Sequence, residues 1–156
     1  MINKHNKGFT LIEVIIYIAL FSFLIGNAFV VAYQLIDNSG KLETKNNIQE
    51  EGNFVMRKLN WALTGVKTFS ISDSRLTINK YNDSVVIIKL GSGVDAKKIL
   101  MNDTGSFLPI TTGNMQVEGL NFTQVGTDPI GVSITVKIKT INTDPQDFNI
   151  TKYLRK

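Results

Sequence analysis

Cysteine is absent from the 156 residues, so the fold stands without disulfides and without thiolate metal ligands. Histidine occurs once, as His5, which removes the commonest general base and metal ligand from the rest of the chain. Net charge is small as well, +4, and Lys4 and Lys7 supply two of those positive charges. Affinity for nucleic acid does not follow from so slight a surplus. Internal repeats and long low-complexity segments are also missing. One stretch lacks charge altogether: from Val14 to Ile36, 23 residues pass without Asp, Glu, Lys, Arg or His. At a helical rise of ~1.5 Å per residue it spans roughly 35 Å, which crosses a bilayer core. A charged fraction of 19% over the whole chain would suit a soluble domain, so the bulk figure conceals this asymmetry.

What is present begins at the N-terminus. Residues 1–8, MINKHNKG, carry Lys4, His5 and Lys7 with no acid, and an apolar stretch follows from Phe9. By the positive-inside rule this end stays cytoplasmic, making the segment a single pass. A secretory signal peptide has an apolar core of about 7 to 15 residues and then a small-residue cleavage site. Here the run is longer, and no A-x-A-like site precedes the polar stretch that starts at Asp37. A plain signal anchor accounts for the length but not for Glu13. An acidic residue at the centre of a membrane helix costs roughly 2.5 to 3.5 kcal/mol on insertion scales, and less near an end.

The sequence Lys7-Gly8-Phe9-Thr10-Leu11-Ile12-Glu13, joined to a membrane-length helix, resembles the prepilin motif of type IV pilins, type II secretion pseudopilins and competence pseudopilins. The resemblance implies an aspartyl prepilin peptidase that cuts between Gly8 and Phe9 on the cytoplasmic side and methylates the new amine of Phe9. It implies that Glu13 pairs with the N-terminal ammonium of a neighbouring subunit during assembly. Two opposite charges in apolar surroundings each relieve the other's desolvation, so the physics agrees with that role. The implied partners are other pilin or pseudopilin subunits, prepilin peptidase, the inner-membrane assembly platform and the cytoplasmic membrane. The implied location is the inner membrane, then an extracellular or periplasmic filament. One departure concerns proline. Many major pilins carry one in the second half of this membrane segment, where their helix melts in the filament. This segment has none, and Gly26-Asn27 is its only weak spot.

Asp37-Asn38-Ser39-Gly40 is rich in breakers, and a bend or no break is expected there. Beyond it Ile48, Val55, Leu59, Ala62, Val66 and Phe69 form a stripe at helical period, with Phe54 and Trp61 at its flank. The spacing predicts one helix from about residue 9 to 69, up to roughly 90 Å long, apolar all round in its first half and amphipathic in its second. After Phe69 the period changes. Residues 75–81 and 84–90 read as a hairpin across Asn82-Asp83, Lys98 to Met101 as a short strand, and Met115 to Thr123 as another. From Gly131 to Thr140, Val132, Ile134, Val136 and Ile138 alternate with polar residues, and Phe148 to Thr151 suits a terminal edge strand. The expected fold class is therefore α+β: a pilin fold whose long N-terminal helix packs on an antiparallel sheet. The expected divisions are a leader at 1–8, a transmembrane and assembly helix at 9–36, and helix continuation plus sheet domain at 37–156. This order of elements, with the stretch Met56 to Ala62, resembles minor pilins and pseudopilins of the J and W type.

No catalytic constellation emerges, no cofactor is implied, and the chain reads as a structural subunit rather than an enzyme. Gly91-Ser92-Gly93 lacks the lysine and following helix of a phosphate loop and reads as a turn ending a strand. Asp144 and Asp147, with Asn142 and Thr143, offer oxygen ligands but not the spacing of a calcium motif, so solvated turn residues are the better reading. Lys152, Arg155 and Lys156, near Lys137 and Lys139, form a basic tail that reads as a solvated terminus, with DNA contact in a competence pilus as the weaker alternative. Two other classes of function compete with the filament subunit: a pilus-tip adhesin or DNA receptor, and a plain membrane-anchored exported domain.

Overall fold

The computed structural model describes Gly8, residues 10–141 and residues 143–154. Two compact units divide the chain, Met1–Glu43 and Thr44–Lys156, and one helix, α1 (Leu11–Ala62), runs from the first into the second.

In the first unit α1 is long and apolar enough to cross a membrane, and none of that apolar span is buried. From Leu11 to Ile36 every side chain but Glu13 is exposed. At the weak spot the chain stays helical, and the Asn27 side-chain amide donates to the Phe23 carbonyl one turn back, 2.7 Å. The breaker-rich segment after Asp37 stays helical. There Lys41 Nζ meets Asp37 Oδ2 at 2.7 Å, an i,i+4 pair with the acid on the N-terminal side, the orientation that adds about 0.2–0.5 kcal/mol to a helix.

In the second unit α1 buries Ile48, Glu51, Gly52, Val55, Leu59 and Ala62, a stripe at 3.6-residue period facing the core. The helix then stops, and the expectation that it would continue to Phe69 is corrected. Gly65 adopts φ +70, the left-handed conformation that ends helices without steric penalty only in glycine. The last turn closes with Leu59 O accepting from Leu63 N–H and Trp61 O from Thr64 N–H, and beyond it Gly65 O accepts from Tyr81 N–H. Val66 and Phe69 keep their inward places, but on a strand. Val66 is buried and Phe69 packs against the core.

Two antiparallel sheets follow. The first has five strands in sequential order: β1 (Val66–Ser72), β2 (Arg75–Lys80), β3 (Val85–Leu90), β4 (Ile99–Asn102) and β5 (Leu108–Pro109). The second has three, β6 (Gln116–Val125), β7 (Gly131–Lys139) and β8 (Gln146–Tyr153), with β7 in the middle. The β2–β3 hairpin turns through Asn82-Asp83 with Asp83 at φ 59, a conformation that Asp tolerates better than most side chains. Val132, Ile134, Val136 and Ile138 are all fully buried and share one core with Ile48, Val55 and Leu59 of the helix. At ~25 cal/mol per Å² of apolar surface, burial of these facing rows is the main term holding helix and sheet together. Phe148, paired with Val136 across β7 and β8, comes so near the helix that a Cβ on Gly52 would overlap its ring.

Candidate functional site

The stretch Thr10-Leu11-Ile12-Glu13, part of the sequence that resembles the prepilin motif, lies at the head of α1. Thr10 stands just before the first helical residue, Leu11. Its carbonyl accepts from Glu13 N–H at 3.1 Å, and its hydroxyl lies 3.4 Å from the same N–H. That is the arrangement of an N-cap, and Thr10-Leu11-Ile12-Glu13 has the T-x-x-E spacing of a capping box. The motif therefore does two things in one stretch: it fixes where the helix begins, and it sets a carboxylate in the first turn. The positive end of the helix dipole favours a negative charge there.

Glu13 is half-buried in a segment whose other side chains are exposed. Tyr17, one turn on, places its hydroxyl 3.3 Å from Glu13 Oε1, a long contact for O–H···O. An ionised carboxylate accepts about four hydrogen bonds, so Glu13 keeps capacity for a cation approaching from outside the helix. Sequence reasoning singled out Glu13 but missed both Thr10 as its cap and Tyr17 as its neighbour. The T-x-x-E spacing was the available signal for the first, and the i,i+4 spacing for the second.

Gly8 is exposed, and a Cβ placed on it would meet nothing within 4 Å. Phe9 lies outside the described residues, as do Lys4, His5 and Lys7 at the N-terminal side, Asn142 in the loop before β8, and Arg155 and Lys156 at the end. Of the remaining basic residues, Lys139 pairs with Glu118 and Lys137 Nζ lies 3.7 Å from Asp147. Among the described residues, no group of three or more His, Asp or Glu side chains is placed to hold a metal ion.

Residues 3–26 match the prokaryotic N-terminal methylation motif. The match supports a type IV pilin-like chain. It spans Gly8, Phe9 and Glu13 and reaches well into the apolar part of α1. No significant match is found among curated proteins or among solved structures. The family that the motif marks is structural rather than enzymatic, and the motif supports processing by prepilin peptidase and assembly with other pilin subunits. Together with the long apolar helix it supports anchoring in the inner membrane and then incorporation into a filament. The chain also has a long N-terminal helix packed against antiparallel sheets in an α+β fold, consistent with a pilin fold.

Proposed function

We propose that this chain is a structural subunit, of the minor J or W type, in a type IV pilus, competence pilus or type II secretion pseudopilus. It is made as a precursor whose residues 1–8 form the leader, 9–36 the transmembrane and assembly helix, and 37–156 the helix continuation with its sheets. The peptidase cleaves the amide between Gly8 and Phe9 on the cytoplasmic side and methylates the amine that cleavage releases on Phe9. Glycine on the acyl side favours this chemistry, because without a Cβ its carbonyl is open to attack.

One observation carries the reading: the methylation motif at residues 3–26 heads a helix whose entire apolar half is uncovered. Such a surface needs lipid first and neighbouring helices later. In the bilayer the new ammonium of one subunit and Glu13 of the next sit in apolar surroundings, and each lowers the other's desolvation cost when they meet. The assembly platform then draws the paired helix into the bundle.

Intact mass of the membrane-extracted protein tests the proposal. The expected species begins at Phe9 and is one methyl group heavier than the bare polypeptide. Residues 1–8 still attached, in a host with active prepilin peptidase, would sink it.

A further inference from the structure

Glu13 is the one residue from Leu11 to Ile36 that is not exposed, and part of its cover comes from its own helix. Side chains on a helix lean towards its N-terminus, so a residue at i+4 reaches back over residue i. Tyr17 does so, and its hydroxyl lies 3.3 Å from Glu13 Oε1. The surrounding sequence sets this residue apart. From Val14 to Phe21 every other side chain is aliphatic or phenyl, so Tyr17 supplies the only side-chain hydrogen-bond donor of those two turns. It stands at the spacing that meets the carboxylate.

The chemistry gives that oxygen a use. A carboxylate taken out of water is costly until donors replace the water it has lost. Phenylalanine at this position would bring the same ring and the same apolar cover without a donor. The phenol engages Oε1 alone in this contact, and a carboxylate accepts about four hydrogen bonds, so Oε2 keeps capacity for an ammonium. The contact is long for O–H···O, which sets its worth at the modest end of a hydrogen bond.

We infer that Tyr17 is a positioning residue for Glu13: its hydroxyl holds one carboxylate oxygen against the helix in the bilayer and leaves the other for the ammonium of a neighbouring subunit. This rests on the charge-pairing reading above and adds to it the group that readies Glu13 for the encounter. Tyrosine near a membrane end also serves as an interfacial anchor, a role that does not depend on Glu13, and that difference is what the test uses.

Tyr17→Phe in the full chain removes one oxygen atom and keeps the ring, and the more apolar span inserts at least as well. Leader cleavage should be unchanged. The ratio of filament-borne to membrane-held processed protein should fall about three- to tenfold, the equilibrium worth of one net hydrogen bond. In a Glu13→Val background, which offers no carboxylate to hold, the same substitution should change nothing further. Infrared difference spectra of the membrane-extracted chain, with and without isotope-labelled glutamate, should show the carboxylate stretch shifting between wild type and Tyr17→Phe. Equal incorporation, an equal loss in the Glu13→Val background, or an unmoved carboxylate band would each overturn the positioning role while leaving the charge-pairing reading in place. Incorporation of Glu13→Val itself at the wild-type ratio would remove both.

Discussion

Replacing Gly52 with alanine sets helix propensity against packing, and the structure says which wins. In an exposed helix interior the change stabilises by about 0.8–1.0 kcal/mol, because alanine loses less backbone freedom on folding. At this position the new methyl would overlap the distal ring atoms of Phe148, which packs partly buried against the core. The ring must leave or the helix must lift. Overpacking of this kind costs about 1–3 kcal/mol, and a displaced ring also forfeits much of a burial worth up to about 1.5–3 kcal/mol. The net expectation is a loss of about 1–3 kcal/mol, or a melting temperature lower by roughly 4–12 °C in a domain of this size. Thermal unfolding of a chain beginning near residue 38 measures it. The partner variant Phe148→Leu removes the ring atoms in question, so Gly52→Ala in that background should become neutral or stabilising. If Gly52→Ala melts above wild type, or stays harmful without the ring, the close approach of helix and β8 does not limit this position.

Leu59→Ala should cost roughly 2–5 kcal/mol, since Leu59 is fully buried in the core, whereas the neighbouring exposed Lys58→Ala should change the melting temperature little. Glu13→Val should leave membrane insertion and leader cleavage intact while reducing recovery in sheared filaments, and equal recovery would refute the charge-pairing role. Glu118 should titrate below the ordinary carboxylate range, chiefly because Lys139 donates a hydrogen bond to it, with Coulombic help from Lys139, Lys97 and Lys137. A depressed folded-state pKa means that the favourable contact is present above the unfolded value and lost as pH falls through the folded one, so Lys139→Met should move the carbon-detected NMR titration of Glu118 upward.

Much of this was legible residue by residue. The β2–β3 hairpin followed from two β-branched runs around Asn82-Asp83, and β7 from the alternation of Val132, Ile134, Val136 and Ile138, because both signals are local. The end of α1 was misread for an instructive reason. Val66 and Phe69 continue the helical spacing of Ile48, Val55, Leu59 and Ala62, yet they occupy β1, where Val66 is buried and Phe69 packs on the same core. Apolar spacing records that a residue faces inward, not which backbone carries it there; Gly65 was the deciding signal. The division into two sheets and the two-residue strand β5 depend on contacts distant in sequence, which no window reveals. Glu51 was also passed over. It is buried three residues after Ile48 on the stripe, and it accepts the Thr112 N–H at 2.7 Å, so a polar residue on an inward face was answering a backbone donor 61 positions later. At the head of the chain, Gly8, Phe9 and Glu13 were legible as a motif, and the T-x-x-E spacing signalled the cap at Thr10, which was passed over.

The placement of β8 has a consequence in time. Gln49 on the helix and Gln146 at the start of β8 hydrogen-bond across 97 positions of sequence, and Phe148 reaches back to Gly52 over nearly the same interval. Synthesis proceeds from the N-terminus, so the helix and the middle strand β7 exist before the strand that completes their shared core. Until β8 emerges, one edge of β7 is unpaired and the helix face around Gly52 lacks its aromatic cover. Contacts this distant in sequence close slowly, and an unpaired strand beside uncovered apolar surface is the kind of intermediate that associates wrongly. The domain therefore spends its most vulnerable interval awaiting its last strand, and a stalled or shortened chain would lack both an edge strand and the aromatic cover over Gly52.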